Sequence, residues 1–191
     1  MAELLSTGRI LLRPICEKDY QQLHIWRNEP RFLKLVSPKR EVVDYQSFVL
    51  ELKREFERGR HQQFMLELNS NRLVIGTVYS FNLNLIDGYV FVNAYTDEGY
   101  ECSGYGAEAV IGLLCYLFGC WPIHKICCEV FEYNDLSLSC LKNAGFVEEG
   151  RFREHRFWDG KRYDVIRLAL YRTNLGKCRS LLQRFQERGK Q

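Results

Sequence analysis

The sequence predicts a single α/β domain. Three observations predict it. Segments of strand-like composition alternate with segments carrying an apolar residue every three or four positions. One run, HKICCEVF at 124–131, is apolar almost throughout, as expected of a strand buried on both faces of a mixed sheet. The 191 residues contain no repeat, linker or low-complexity stretch, and that length suits one compact domain.

The elements follow in order. Residues 9–15, RILLRPI, read as a short strand, and residues 17–28 as a helix with Tyr20, Leu23 and His24 on one side. Residues 27–40 read as a basic, proline-broken loop. Over 42–59, Tyr45, Phe48, Val49, Leu52 and Phe56 form a helical stripe, and Gly59 is placed to stop it. Strands are expected at 63–68, 73–83 and 89–95, the last two joined through the turn Asp87–Gly88. A helix over 106–119 carries Val110, Leu113, Leu114 and Leu117 on one face. After the buried strand, Asn134 is a natural N-cap for a helix that Gly145 closes. Residues 151–158 and 162–172 flank Asp159–Gly160 as a β-hairpin. We expect the domain to occupy 1–175, with 176–191 as a charged, partly frayed helical tail.

Global quantities exclude several classes. With 27 basic and 24 acidic residues the net charge is +3, too mild and too interleaved for a nucleic-acid binder. No apolar run approaches the ~20 residues that span a bilayer. The first ten residues lack the basic and apolar regions of a signal peptide, so a cytoplasmic location is expected. The eight cysteines contain no CxxC pair, and several lie inside apolar periodic segments. They read as reduced core thiols rather than metal ligands or disulfides. His24, His61, His124 and His155 form no metal-like cluster in sequence.

The stretch ECSGYGAEAV at 101–110 calls for a ligand or a turn. A strand, a glycine-rich turn and a helix N-terminus together direct several N–H groups and the positive helix dipole at one point. Gly104 and Gly106 would let a pyrophosphate approach with no Cβ in the way. Taken alone, the pattern fits a tight turn before a helix equally well. It is neither a P-loop, which needs GxxxxGK[ST], nor a GxGxxG fingerprint, because Ala109 stands where the last glycine belongs.

The later motifs decide between these readings. Glu101–Gly106 resembles the [QR]xxGx[GA] acetyl-CoA loop of the GCN5-related N-acetyltransferase superfamily, with Glu108 in the next turn. Asn134, Ser137, Gly145 and Phe146 match that superfamily's NxxSxxxxxxxGF motif. The segment 149–154, the Asp159–Gly160 turn and the strand after it resemble the branch of ribosomal-protein N-terminal acetyltransferases. The likeness runs from about residue 88 to 172. It departs at Glu101, where Gln or Arg is usual, and at Leu141, where many members carry a tyrosine that protonates the leaving thiolate.

The resemblance implies a mixed, mostly antiparallel central sheet flanked by helices, its fourth and fifth strands splayed apart, and an acetyl-CoA-dependent N-acetyltransferase acting on a small-molecule amine or a peptide N-terminus. It places the pantetheine arm and an oxyanion donor at the main chain of Ala94, Tyr95 and Thr96. The pyrophosphate falls on Glu101, Cys102, Ser103, Gly104, Tyr105 and Gly106, and the Asn134 side chain bonds the pantetheine. No metal is implied. An ammonium must lose its proton before attack, and Glu129 is the base candidate, with burial expected to raise its pKa. The competing reading of Glu129 is a structural ion pair with Arg151, Arg153 or Arg156. Ser137 and Cys140 are weak candidates for a general acid. A non-catalytic acyl-CoA-binding module is the alternative that Leu141 and Glu101 favour. Arg27, Arg31, Lys34, Lys39 and Arg40 border the acceptor side, which suits an acceptor bearing a carboxylate or phosphate better than a polyamine.

Overall fold

Alternation along the strands sets two layers, one on each side of a single sheet. The computed structural model describes residues 5–37, 39 and 41–188; Arg40 and the last three residues of the expected tail lie outside them. The strands are β1 (Leu5–Ser6), β2 (Ile10–Pro14), β3 (Gln62–Leu68), β4 (Val74–Asn84), β5 (Tyr89–Thr96), β6 (Lys125–Phe131), β7 (Val147–Trp158) and β8 (Lys161–Tyr171). The helices are α1 (Tyr20–Asn28), α2 (Pro30–Leu35), α3 (Tyr45–Glu57), α4 (Tyr105–Cys120), α5 (Asp135–Ala144) and α6 (Leu175–Arg188). The sheet order is β1-β2-β3-β4-β5-β6-β8-β7. Every neighbouring pair is antiparallel except β5 with β6.

One face carries Ile10, Leu12, Phe64, Leu66, Val78, Val90, Ile126 and Leu168 into the larger core, against Leu113, Leu114 and Leu117 of α4. These side chains are at most 1% exposed, so truncating one, such as Leu114→Ala, costs about 2–5 kcal/mol. The other face packs Met65 and Tyr95 against Leu23, Trp26, Phe32 and Leu52 of α1, α2 and α3. Gly76 lets β4 and β5 close at the site end, because a Cβ there would lie 2.3 Å from the Tyr95 carbonyl oxygen.

Three expectations are corrected. The loop over 27–40 contains a helix: Pro30 opens α2 at its first turn, where a missing N–H costs nothing. The C-terminal helix is not a frayed tail. Cys178 is fully buried, and Leu181, Leu182 and Phe185 pack on the core beside α4; the charges of α6 face outward and mask an amphipathic pattern. Only Cys127, Cys128 and Cys178 are buried, whereas Cys16, Cys102, Cys120 and Cys140 are exposed, and all eight are free thiols. Among the described residues no helix is long and apolar enough to cross a membrane.

Candidate functional site

The parallel pairing of β5 and β6 lasts three rungs, Tyr89–Lys125, Val90–Ile126 and Phe91–Cys127. Beyond them the strands separate, and a cleft of about 260 Å³ opens between them. Ala94, Tyr95 and Thr96 line one wall, Cys128, Glu129 and Val130 the other, with the start of α4 and the inner side of α5 closing the end. The expected Glu101, Cys102, Gly104, Gly106, Asn134, Ser137 and Cys140 all reach this cleft, as does Leu141.

The glycine loop turns sharply before α4. Cys102 and Gly104 take positive φ, 56° and 81°. Gly104 is the N-cap, and no side chain caps the helix. Its first-turn N–H groups therefore remain free of intrahelical and side-chain partners and carry the positive end of the dipole. A phosphate fits this cradle on backbone geometry alone.

Two arginines hold the cradle in place: sequence reasoning gave Arg9 no role and expected Arg31 on the acceptor side. Arg9, at the start of β2, donates from Nε to Glu108 Oε2 at 2.8 Å and from Nη1 to the Ser103 carbonyl at 3.0 Å. Its guanidinium also lies 4.5 Å from the centre of the Tyr105 ring. Glu108 is wholly buried, yet its other bonds come from Thr7 Oγ1 at 2.9 Å and the Arg9 N–H at 2.8 Å, so the carboxylate is satisfied. The Ser103 carbonyl and the Tyr105 ring thus support the loop from behind. Arg31, from α2, pairs through Nε with Glu101 at 2.5 Å and donates to the Thr96 carbonyl at 2.6 Å. The unexpected acid in the loop does not point away; it lies on the cleft and is neutralised there. The sequence signal was present, since Glu101 broke the motif and Arg31 stood in a basic cluster, but only the fold pairs them.

The β5 wall is partly occupied by its own side chains. Asn93 Oδ1 accepts the Ala94 N–H at 2.9 Å, and the Thr96 carbonyl is the one taken by Arg31. Tyr95 donates its hydroxyl to Glu29 Oε2. Burial, reinforced by that carboxylate, pushes the Tyr95 phenol well above its ordinary value, so it is no base. Asn134 caps α5 by accepting the Ser137 N–H at 3.2 Å, which leaves its amide nitrogen without a partner among the described residues.

Glu129 differs from expectation in two respects. It is not buried, its side chain being 41% exposed, and its partner is none of the three arginines expected but Arg167, its cross-strand neighbour. Both bonds from Arg167 end on Oε1, and Oε2 has no partner among the described residues. Arg167 itself lies between the Phe91 and Phe152 rings. Cys140 lies on α5 at the closed end of the cleft; partial burial, then the nearby Cys102, raises its pKa, so it is protonated at neutral pH.

The chain and its fold are similar to known proteins. A family model described as an acetyltransferase (GNAT) domain matches residues 9–147. The spermidine N(1)-acetyltransferase of Vibrio cholerae serotype O1 is 24% identical over 157 residues, spanning 77% of this chain and 90% of that protein. The crystal structure of spermidine N-acetyltransferase from Vibrio cholerae with CoA and spermine superimposes with a TM-score of 0.82 at 20% identity, covering 87% of this chain and 98% of that one. The RimL ribosomal L7/L12 alpha-N-protein acetyltransferase with coenzyme A gives a TM-score of 0.77 at 15% identity, covering 88% and 98%.

Proposed function

The chain belongs to the GNAT acetyltransferase domain family, and from that premise we propose that it transfers an acetyl group from acetyl-CoA to a primary amine, on a small molecule or a peptide N-terminus. The observation that carries the reading is the cleft where β5 leaves β6, ending on the uncapped first turn of α4. The groups present fit the cofactor: backbone donors for a pyrophosphate, an apolar wall of Val92, Val110 and Ile111, and a free Asn134 amide.

Bound there, acetyl-CoA supplies the activated acetyl thioester. The first-turn N–H groups of α4 would hold the pyrophosphate, and Asn134 the pantetheine. Main-chain groups of β5 around Tyr95 would orient the thioester carbonyl and answer negative charge on its oxygen. Glu129, on the far side of the splay from α4, takes the amine's proton at Oε2 while Arg167 fixes Oε1. Ser137 and Cys140 stand on the leaving-group side. A thiolate of thiol-like pKa leaves readily, so Leu141 at the usual tyrosine position is compatible with transfer.

Acetyl-CoA should stabilise the protein by about 2.7 kcal/mol at a hundredfold excess over its Kd. Free thiol should then be released on adding the right amine. A melting temperature unmoved by saturating acetyl-CoA, in folded protein free of cofactor, would overturn the reading. Binding without turnover across amines of both acceptor classes would support an acyl-CoA-binding module instead.

A further inference from the structure

A second cavity, of about 220 Å³, lies under the roof of α1 and α3, on the face of the sheet opposite α4. Leu23, Phe32, Phe48 and Leu52 supply its apolar part, and Ser37, Lys39, His61, Gln63 and Thr77 add polar groups. Into this lining come Trp26 and Arg27, adjacent residues of α1. Trp26 is 1% exposed, and its indole Nε1 has no acceptor among the described residues. Arg27 is half-buried with its guanidinium 5.9 Å from the Phe32 ring centre, and its Nη1 is sealed from solvent without an acceptor among the described residues. The two acids on the rim are already engaged, Glu51 with Lys39 at 2.7 Å and Glu55 with Arg58 at 2.6 Å.

A buried guanidinium nitrogen and a buried indole N–H, both unanswered, are each costly without an acceptor. Both residues line this one cavity. We propose that this pocket binds a short-chain carboxylate, its two oxygens taken by Arg27 and the Trp26 N–H and its alkyl part by the aromatic and leucine walls. A planar acceptor with a single charge suits one guanidinium and one indole. A phosphate brings more charge and more oxygens than these two donors meet.

The carboxylate has two possible sources. The pocket and the cleft adjoin at one rung of the sheet, where Tyr79 of the pocket pairs with Asn93 of the cleft. They also share a wall, because Phe32 and Tyr95 meet with ring centres 5.2 Å apart. The carboxylate is therefore either the tail of the acceptor whose amine enters the cleft, or a separate effector read out through Tyr95. The first source rests on the acetyltransferase reading; binding itself does not.

The test uses the full chain and three probes of similar size: butyrate, butyramide and butylamine. Butyrate should bind saturably by calorimetry and shift one indole N–H resonance, and the two uncharged-or-cationic controls should do neither. Arg27→Met should weaken butyrate at least tenfold. Trp26→Phe, which keeps the ring packing and removes the N–H, should weaken it severalfold and delete the shifting resonance. Both variants should retain the thermal shift with acetyl-CoA, which reports the fold and the cleft independently. If butyrate competes with the amine acceptor, the pocket holds the acceptor's tail; if it binds without competing, it holds an effector. No saturable binding of millimolar butyrate to wild type, or equal affinity in folded Arg27→Met, overturns the proposal.

Discussion

Arg9 and Glu108, separated by 99 positions, meet at 2.8 Å behind the glycine loop and tie the start of β2 to the first turn of α4. The carboxylate is fully buried while the arginine side chain is 35% exposed, so the pair is asymmetric. Removing the arginine strands a charge that the protein interior cannot solvate.

Arg9→Met should therefore lower stability by about 3 kcal/mol, within the range for breaking a buried pair from one side. It should also loosen the loop and weaken acetyl-CoA binding. Urea unfolding and cofactor titration measure the two effects separately. An effect on neither would remove the staple from the account.

At the loop itself, Gly104→Val forces a branched side chain into φ 81° and into the space a phosphate needs. Affinity for acetyl-CoA should fall at least tenfold, about 1.4 kcal/mol. Gly106→Ala is the contrasting case: its φ is ordinary, and the new Cβ would be 3.4 Å from Thr96 Cγ2, ordinary contact. That variant should melt close to wild type, so any loss in its affinity reports ligand contact alone.

Glu129→Gln should reduce the transfer rate by roughly 10²–10⁴, the usual value of a positioned base. Acetyl-CoA affinity should stay within twofold or so of wild type on the same reasoning. Because the residue is exposed and its ion pair sits in water, the stability change should be under about 1 kcal/mol. A normal rate per folded molecule would reduce Glu129 to a partner of Arg167.

His61 supplies a pH prediction. Its Nε2 faces Gln63 Oε1 at 3.1 Å; Gln63 in turn donates to Thr77, whose hydroxyl donates to the Phe64 carbonyl. That chain requires a proton on Nε2. Burial lowers the His61 pKa below its ordinary 6.5, against a smaller opposing effect of Gln63. The unfolded chain then gains a proton that the folded chain refuses as pH drops below about 6.5. Stability should fall over that window, by at most about 1.4 kcal/mol per pH unit, and be flat in this respect above it. In His61→Gln the dependence should shrink; an unchanged slope would place its origin elsewhere.

Much of the fold was legible because periodicity reports burial. The stripe on α4 and the apolar run of β6 name two elements of the larger core. The glycine loop and Asn134 were legible because their backbone chemistry is written in residue types. Pairings were not. Nothing local to Arg31 says that it will neutralise Glu101, and nothing local to Arg167 says that it will sit opposite Glu129, since each depends on the registration of distant elements. Glu129 looked buried because its neighbours are; on a strand its side chain points opposite to those of Cys128 and Val130. The burial of α6 was concealed by its abundant charge.

The three-rung contact between β5 and β6 also has a mechanical meaning. It divides the sheet into a five-stranded wing, β1 to β5, and a three-stranded wing of β6, β8 and β7, sewn together along a short seam. Compliance concentrates where the stitching is thinnest. A small rotation of one wing against the other would open the slot without disturbing either wing's internal ladder, so entry of a long, flexible ligand would need no lid.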